Sequence, residues 1–163
     1  MAEGDRGYAN VFFGLSVPDL ANTTTHSVYG FTGGSRVFKE ISLGGYHAIS
    51  STETATGTIP FRYSLTGLES RYYVASGATN VFVGVRAGIT KIYTTTSGSN
   101  IIFSPYHYGV VSGYNFKLWS ELTVGFEGNL MFISGDSVPS GSANIDHNAF
   151  TTINFFLTSG ISF

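Results

Sequence analysis

Residues 150–163, Phe-Thr-Thr-Ile-Asn-Phe-Phe-Leu-Thr-Ser-Gly-Ile-Ser-Phe, decide how the rest of the chain is read. Counted back in steps of two, one face carries Phe163, Ile161, Ser159, Leu157, Phe155 and Ile153. The other carries Ser162, Gly160, Thr158, Phe156, Asn154 and Thr152. A period of two with one apolar and one small or polar face is the mark of a strand. A long strand at the end of a sheet leaves a row of unpaired backbone groups that must be hidden. The expected partner is a strand near the start of the chain. Ser159 is the one residue on the apolar face that this pattern does not explain.

Working outward, the composition suits a strand that faces lipid. Of 163 residues only 11% are charged, against roughly 25% in ordinary soluble domains. Aromatics make up 15%, glycines number 21, cysteine is absent, and the mean hydropathy is +0.15. No apolar run approaches the roughly 20 residues of a membrane helix. The net charge of −2 gives no basic patch, so no nucleic-acid partner is expected. Without cysteine there is no disulfide framework, thiol chemistry or cysteine-based zinc site. The start, Met-Ala-Glu-Gly-Asp, lacks the basic and apolar regions of a secretion signal; the expectation is a signal peptide already removed.

The same alternation recurs along the chain. Residues 8–17 set Val11, Phe13, Leu15 and Val17 against Asn10, Phe12, Gly14 and Ser16. Strands follow at about 27–37, 41–50, 61–74, 81–93, 103–114, 120–132 and 150–163. In the third, Gly44-Gly45 could host a bulge. The fourth is awkward: Glu69 and Arg71 share a face with Tyr63, Leu65 and Tyr73, leaving Ser64, Thr66, Leu68, Ser70, Tyr72 and Val74 opposite. Charged side chains in mid-membrane cost more than Ser or Thr, so the charges are assigned to the interior, a bulge near Gly67 being the other solution. Residues 134–147 read as a loop. Short turns after the second, fourth and sixth strands alternate with longer polar loops. The fold class expected is all-β, an eight-stranded antiparallel up-and-down transmembrane β-barrel forming one domain over 1–163, with a short tail at 1–7.

With these features the chain resembles the small eight-stranded outer-membrane barrels of the OmpA/OmpX type. The resemblance covers the whole chain and rests on strand count, loop alternation, glycine-rich inward rows, the stretch Val111-Ser-Gly-Tyr-Asn-Phe116 and terminal Phe163. It implies a closed barrel in the bacterial outer membrane with both termini periplasmic. The partners expected are outer-membrane lipid and lipopolysaccharide, and the barrel-assembly machinery through the C-terminal strand, with a monomer rather than a dimer. Two aromatic belts are expected at the membrane interfaces. Tyr8, Tyr72, Tyr114, Phe116, Trp119 and Phe163 would lie at the periplasmic end. Tyr29, Phe61, Tyr93, Phe103, Tyr106 and Phe132 would lie at the outer end.

Alternation directs six charges inward: Arg36, Glu69, Arg71, Arg86, Glu121 and Glu127. Three of each sign in a lumen just wide enough to be filled by side chains must pair. The expectation is a salt-bridged interior polar network centred on Arg86 and Glu127, with Glu69 and Arg71 attached. Its consequence would be a plugged barrel with a structural or surface-interaction role, no cofactor, no metal and no catalytic residues. A narrow channel for small or apolar solutes is an alternative; so are a lipid-modifying outer-membrane enzyme and a soluble lipocalin-like carrier. The histidines His26, His47, His107 and His147 have no metal-ligand spacing, and His26 and His147 read as loop residues. Ser50 near His47 and Ser104 near His107 could in principle supply a nucleophile, but alternation puts each pair on opposite faces.

Overall fold

The computed structural model describes residues 7–19, 25–51, 61–75, 79–96, 99–140 and 143–163. Most of the tail, the loop at 52–60 and the middle of the turn at 76–78 lie outside them. The chain runs through β1 (Gly7–Pro18), β2 (His26–Arg36), β3 (Ile41–Ser50), β4 (Phe61–Ala75), β5 (Thr79–Thr96), β6 (Ser99–Phe103), β7 (Tyr106–Lys117), β8 (Leu122–Ile133), β9 (Asp136–Ser140), β10 (Ala143–His147) and β11 (Phe150–Ser162). Every pairing is antiparallel. β1 to β5 pair in sequence, β5 pairs with both β6 and β7, and β7, β8 and β11 complete the circuit back to β1. With β6 and β7 counted as one stave, the barrel has eight and is closed.

Closure is made by the stretch quoted first. β11 pairs with β1 from Tyr8↔Ser162 to Pro18↔Thr152. Beyond the last pair, Gly7 N donates to Phe163 O at 2.7 Å and Phe163 N to Gly7 O at 3.1 Å. The Phe163 ring folds over Gly7, where a Cβ would sit 2.7 Å from its Cε2. A side chain at position 7 would lift the terminal ring off the seam.

The sheet is inside out relative to a soluble protein. Val11, Phe13, Leu15, Phe31, Leu68, Val85, Phe126, Phe155 and Leu157 are all more than half exposed on the outer surface. Asn10, Thr32, Glu69, Arg71, Arg86, Glu127, Asn129 and Asn154 are buried in the lumen. β3 has no bulge at Gly44-Gly45; its register against β2 runs unbroken from Ser50 to Ser42. β4 has none at Gly67, and its only shift falls between Tyr73 and Ala75.

The outward row of β4 explains itself once β3 is beside it. His47 faces outward, and its Nδ1 lies 2.7 Å from Thr66 Oγ1, the two residues being register partners. The Phe31 ring packs against the His47 ring at 5.7 Å. A polar pair that satisfies itself on an apolar outer face avoids most of the penalty of an unpaired group. Ser159 is exposed on the same side, in a shallow outer groove with Ala9, Gly33, His47 and Thr66.

Three sequence expectations need correction. β8 starts at Leu122, so Glu121 lies in the turn with its side chain exposed, not inward. Its backbone oxygen accepts from Ser162 N at 2.8 Å. Residues 134–147 contain a hairpin, β9–β10, in register from Ala143↔Ser140 to His147↔Asp136. His26 and His147 are strand residues, His26 being fully buried at the start of β2.

Candidate functional site

The lumen is filled in three layers, described from the end carrying both termini towards the end carrying the β9–β10 hairpin. The first layer is small and polar. Thr123 Oγ1 donates to Asn10 Oδ1 at 3.5 Å and Thr158 Oγ1 to Asn115 Oδ1 at 2.9 Å. Arg36 lies at this mouth, half-buried, its Nη1 donating to Lys39 O at 3.0 Å and its guanidinium 4.3 Å above the Tyr73 ring. It does not join the other inward charges.

The second layer is a ring of two arginines and two glutamates. Glu69 and Arg86 are register partners on β4 and β5, while Glu127 projects from β8 across the lumen. Arg71 Nε donates to Glu69 Oε1 at 2.5 Å, and Arg71 Nη2 reaches Glu127 Oε2 at 3.1 Å. Arg86 Nε donates to Glu69 Oε2 at 2.6 Å, its Nη1 lies 2.7 Å from Glu127 Oε1, and its Nη2 also pairs with Glu69. Each arginine therefore bridges both carboxylates, and the ring is neutral as a whole. All four residues are at most 3% exposed.

Glu69, rather than Arg86 or Glu127, is the hub of this layer. Besides both arginines it accepts from Tyr8 Oη at 2.7 Å and from Thr32 Oγ1 at 3.0 Å. Tyr8 is thus an interior residue, 7% exposed, and not part of an aromatic belt. Aromatic faces complete the solvation of the cations. The Arg71 guanidinium sits 4.4 Å from the Tyr8 ring and 4.1 Å from the Phe82 ring, and that of Arg86 sits 4.6 Å from the Tyr46 ring. Phe82 can lie flat there because position 113 is glycine: a Cβ would come within 2.4 Å of its Cζ.

The third layer is apolar, which the sequence reading did not anticipate. Phe12, Val28, Tyr63, Leu65, Ile92, Phe103, Met131, Ile133, Phe150 and Phe156 form one cluster in the half towards the hairpin. Phe103 belongs here, 2% exposed, and not to a belt. The polar atoms in this layer bond to one another. Tyr63 Oη donates to Ser16 Oγ, which lies 2.6 Å from Thr152 Oγ1; Asn154 Nδ2 donates to Asn129 Oδ1 at 2.6 Å. His107 is held between the Tyr46 hydroxyl at Nε2 and Thr90 Oγ1 at Nδ1, the latter at 2.9 Å. Above this layer the hairpin packs Val138 and Ile145 against the cluster, with His147 between the Phe103 and Phe150 rings at 5.3 and 5.4 Å.

Two lumenal gaps stand out, about 20 Å³ beside Tyr8, Asn10 and Arg71 and about 10 Å³ beside Phe12, Tyr46 and Met131. Either could hold about one water molecule. The serine–histidine pairs divide as alternation requires. Ser50 is buried, accepting from Tyr63 N at 2.9 Å, while His47 faces out. His107 is buried, while Ser104 is exposed. Of the belt residues, Tyr29, Tyr72, Tyr106, Tyr114, Trp119 and Phe163 are 45–72% exposed on the outside, and Tyr93 is half-buried beside Arg62.

This closed, inside-out barrel has close structural counterparts. Neisserial surface protein A superposes with a TM-score of 0.77 over 96% of this chain and 97% of that one, at 11% identity. The chain has the fold of the small eight-stranded outer-membrane barrels. The N-terminal β-barrel domain of Pseudomonas aeruginosa OprF gives a TM-score of 0.66 at 12% identity, covering 99% of this chain and 100% of that one. Ail, the attachment invasion locus protein of Yersinia pestis, gives 0.64 at 10%, covering 98% and 99%. No protein-family model and no curated protein matches the sequence. At these identities the likeness speaks for the fold alone.

Proposed function

We propose that this chain is an integral protein of the bacterial outer membrane, with a plugged lumen and a structural or surface-interaction role rather than a catalytic one. Its termini and the turns at 37–40 and 118–121 would face the periplasm, and the β9–β10 hairpin the outside. The observation that carries the reading is the neutral ring of Glu69, Arg71, Arg86 and Glu127 beneath an apolar layer. An ion crossing the lumen would have to break charge-assisted bonds and then traverse packed side chains. Each step is costly in a low-dielectric interior.

The non-catalytic part rests on the histidines. His107 is bonded to a tyrosine and a threonine, and His47 to a threonine. Among the described residues neither is bonded to the orienting carboxylate and serine of a hydrolytic site. The monomeric state rests on the internally satisfied His47–Thr66 pair. Planar-bilayer recording tests the plug. The expected result is no steady conductance from the wild-type protein. Steady current that Glu127→Ala alters would overturn it in favour of a narrow channel.

A further inference from the structure

The chain has eight lysines and arginines. Arg71 and Arg86 are used in the lumenal ring, and Arg36, Lys39 and Lys117 lie at the end with the termini. The described residues leave two towards the hairpin end, Arg62 and Lys91. Both are exposed on the outer face. They are also neighbours: Arg62 pairs with Tyr93 and Ser64 with Lys91, so the two cations stand diagonally across the β4–β5 ladder on one face. The Arg62 guanidinium leans over the Tyr93 ring, 5.6 Å from its centre.

Among the described residues neither cation has an ion-pair partner; the surface pair is Lys39–Glu40 at the other end. Asp136, the nearest hairpin carboxylate in sequence, is occupied with Ser104 N and Ser137 N at 2.7 and 2.8 Å. Two adjacent like charges on a lipid-facing sheet repel each other and, away from the midplane, are tolerated only at headgroup depth. Tyr93, an amphipathic ring directly opposite Arg62, fits that depth.

We propose that Arg62, Lys91 and Tyr93 form a binding site for a phosphorylated glycolipid of the outer leaflet. Arg62 provides a fork for a phosphate monoester, Lys91 a second point charge, and Tyr93 a surface for the adjoining sugar. The site rests on the outer-membrane reading, with the hairpin end outside, and adds to it a named ligand chemistry.

The test uses the full chain refolded in detergent micelles, folding being checked by circular dichroism and heat-sensitive gel migration. Native mass spectrometry then measures retention of diphosphoryl lipid A and of the same glycolipid after dephosphorylation. At roughly 1 kcal/mol per basic residue near an anionic surface, R62Q/K91Q should bind the diphosphoryl form about tenfold to thirtyfold more weakly than wild type. K39Q/K117Q, the same charge loss at the other end, should bind as wild type does. The proposal fails if R62Q/K91Q retains the glycolipid as wild type does, if both double variants lose it equally, or if the dephosphorylated form binds as well. Failure of the wild-type chain to insert into phospholipid vesicles would instead remove the outer-membrane reading beneath it.

Discussion

At the residue scale, alternation alone directed Glu69, Arg71, Arg86 and Glu127 inward, and the lumen brings those four together. Glu69 accepts from Arg71, Arg86, Tyr8 and Thr32, whereas Glu127 accepts from Arg71 and is ion-paired with Arg86. Removing one partner of a buried ion pair costs about 3–5 kcal/mol. Glu69→Gln should therefore lower the urea midpoint in micelles by more than Glu127→Gln; an equal or reversed order would contradict Glu69 as hub. The His47–Thr66 pair makes a second case. His47→Leu or Thr66→Val alone leaves a polar group unpaired against lipid and should destabilise by about 1–3 kcal/mol, while the double replacement should be near neutral. Additive losses in that cycle would show that the pair is not a unit. Glu121 and Tyr8 mark where residue-level reading stops. Alternation continues in the sequence past the physical end of a strand, so it assigned Glu121 a facing that the turn removes. Tyr8 shares its parity with Asn10 and Phe12, so its inward position was legible; aromatic character alone does not separate a belt residue from a lumenal one.

At the element scale, the eight staves were legible because each alternates over ten or more residues. The β9–β10 hairpin was not. Five-residue strands, one containing Pro139, offer too short a pattern against a Ser- and Gly-rich background, and the only signals were Val138 and Ile145. The apolar third layer was hidden for a related reason. Phe12, Val28 and Met131 occupy inward positions, but hydropathy does not distinguish apolar side chains facing lipid from those filling a lumen. The hairpin is docked in part by His147, whose burial against Phe103 and Phe150 holds its imidazole pKa below the usual value, opposed by its register partner Asp136. A depressed histidine pKa means that the undocked state takes up the proton first. Docking is therefore at full strength above the ordinary histidine value and weakens as pH falls through it. Protection factors at 136–140 and 143–147, after division by the intrinsic exchange rate at each pH, should fall on going from pH 7.5 to pH 5.5 (roughly one unit either side of the ordinary histidine pKa) while those of β8 and β11 stay constant. Unchanged protection of the hairpin, or equal loosening of the barrel, would contradict a local latch.

At the scale of the whole molecule, stability and solubility requirements point in opposite directions to those of a soluble domain. The buried charges are inside and paired with one another, and a band of Val, Leu, Ile and Phe faces outward. Antiparallel closure of β1 on β11 leaves no free barrel edge. Such a surface has no stable place in water, since soluble monomers rarely expose a contiguous apolar patch larger than a few hundred Å². The most direct test is to dilute the urea-unfolded chain into phospholipid vesicles and, separately, into buffer without lipid or detergent. The barrel predicts strand-rich circular dichroism and heat-sensitive gel migration with vesicles, and aggregation without them. A soluble, folded monomer in plain buffer would contradict it.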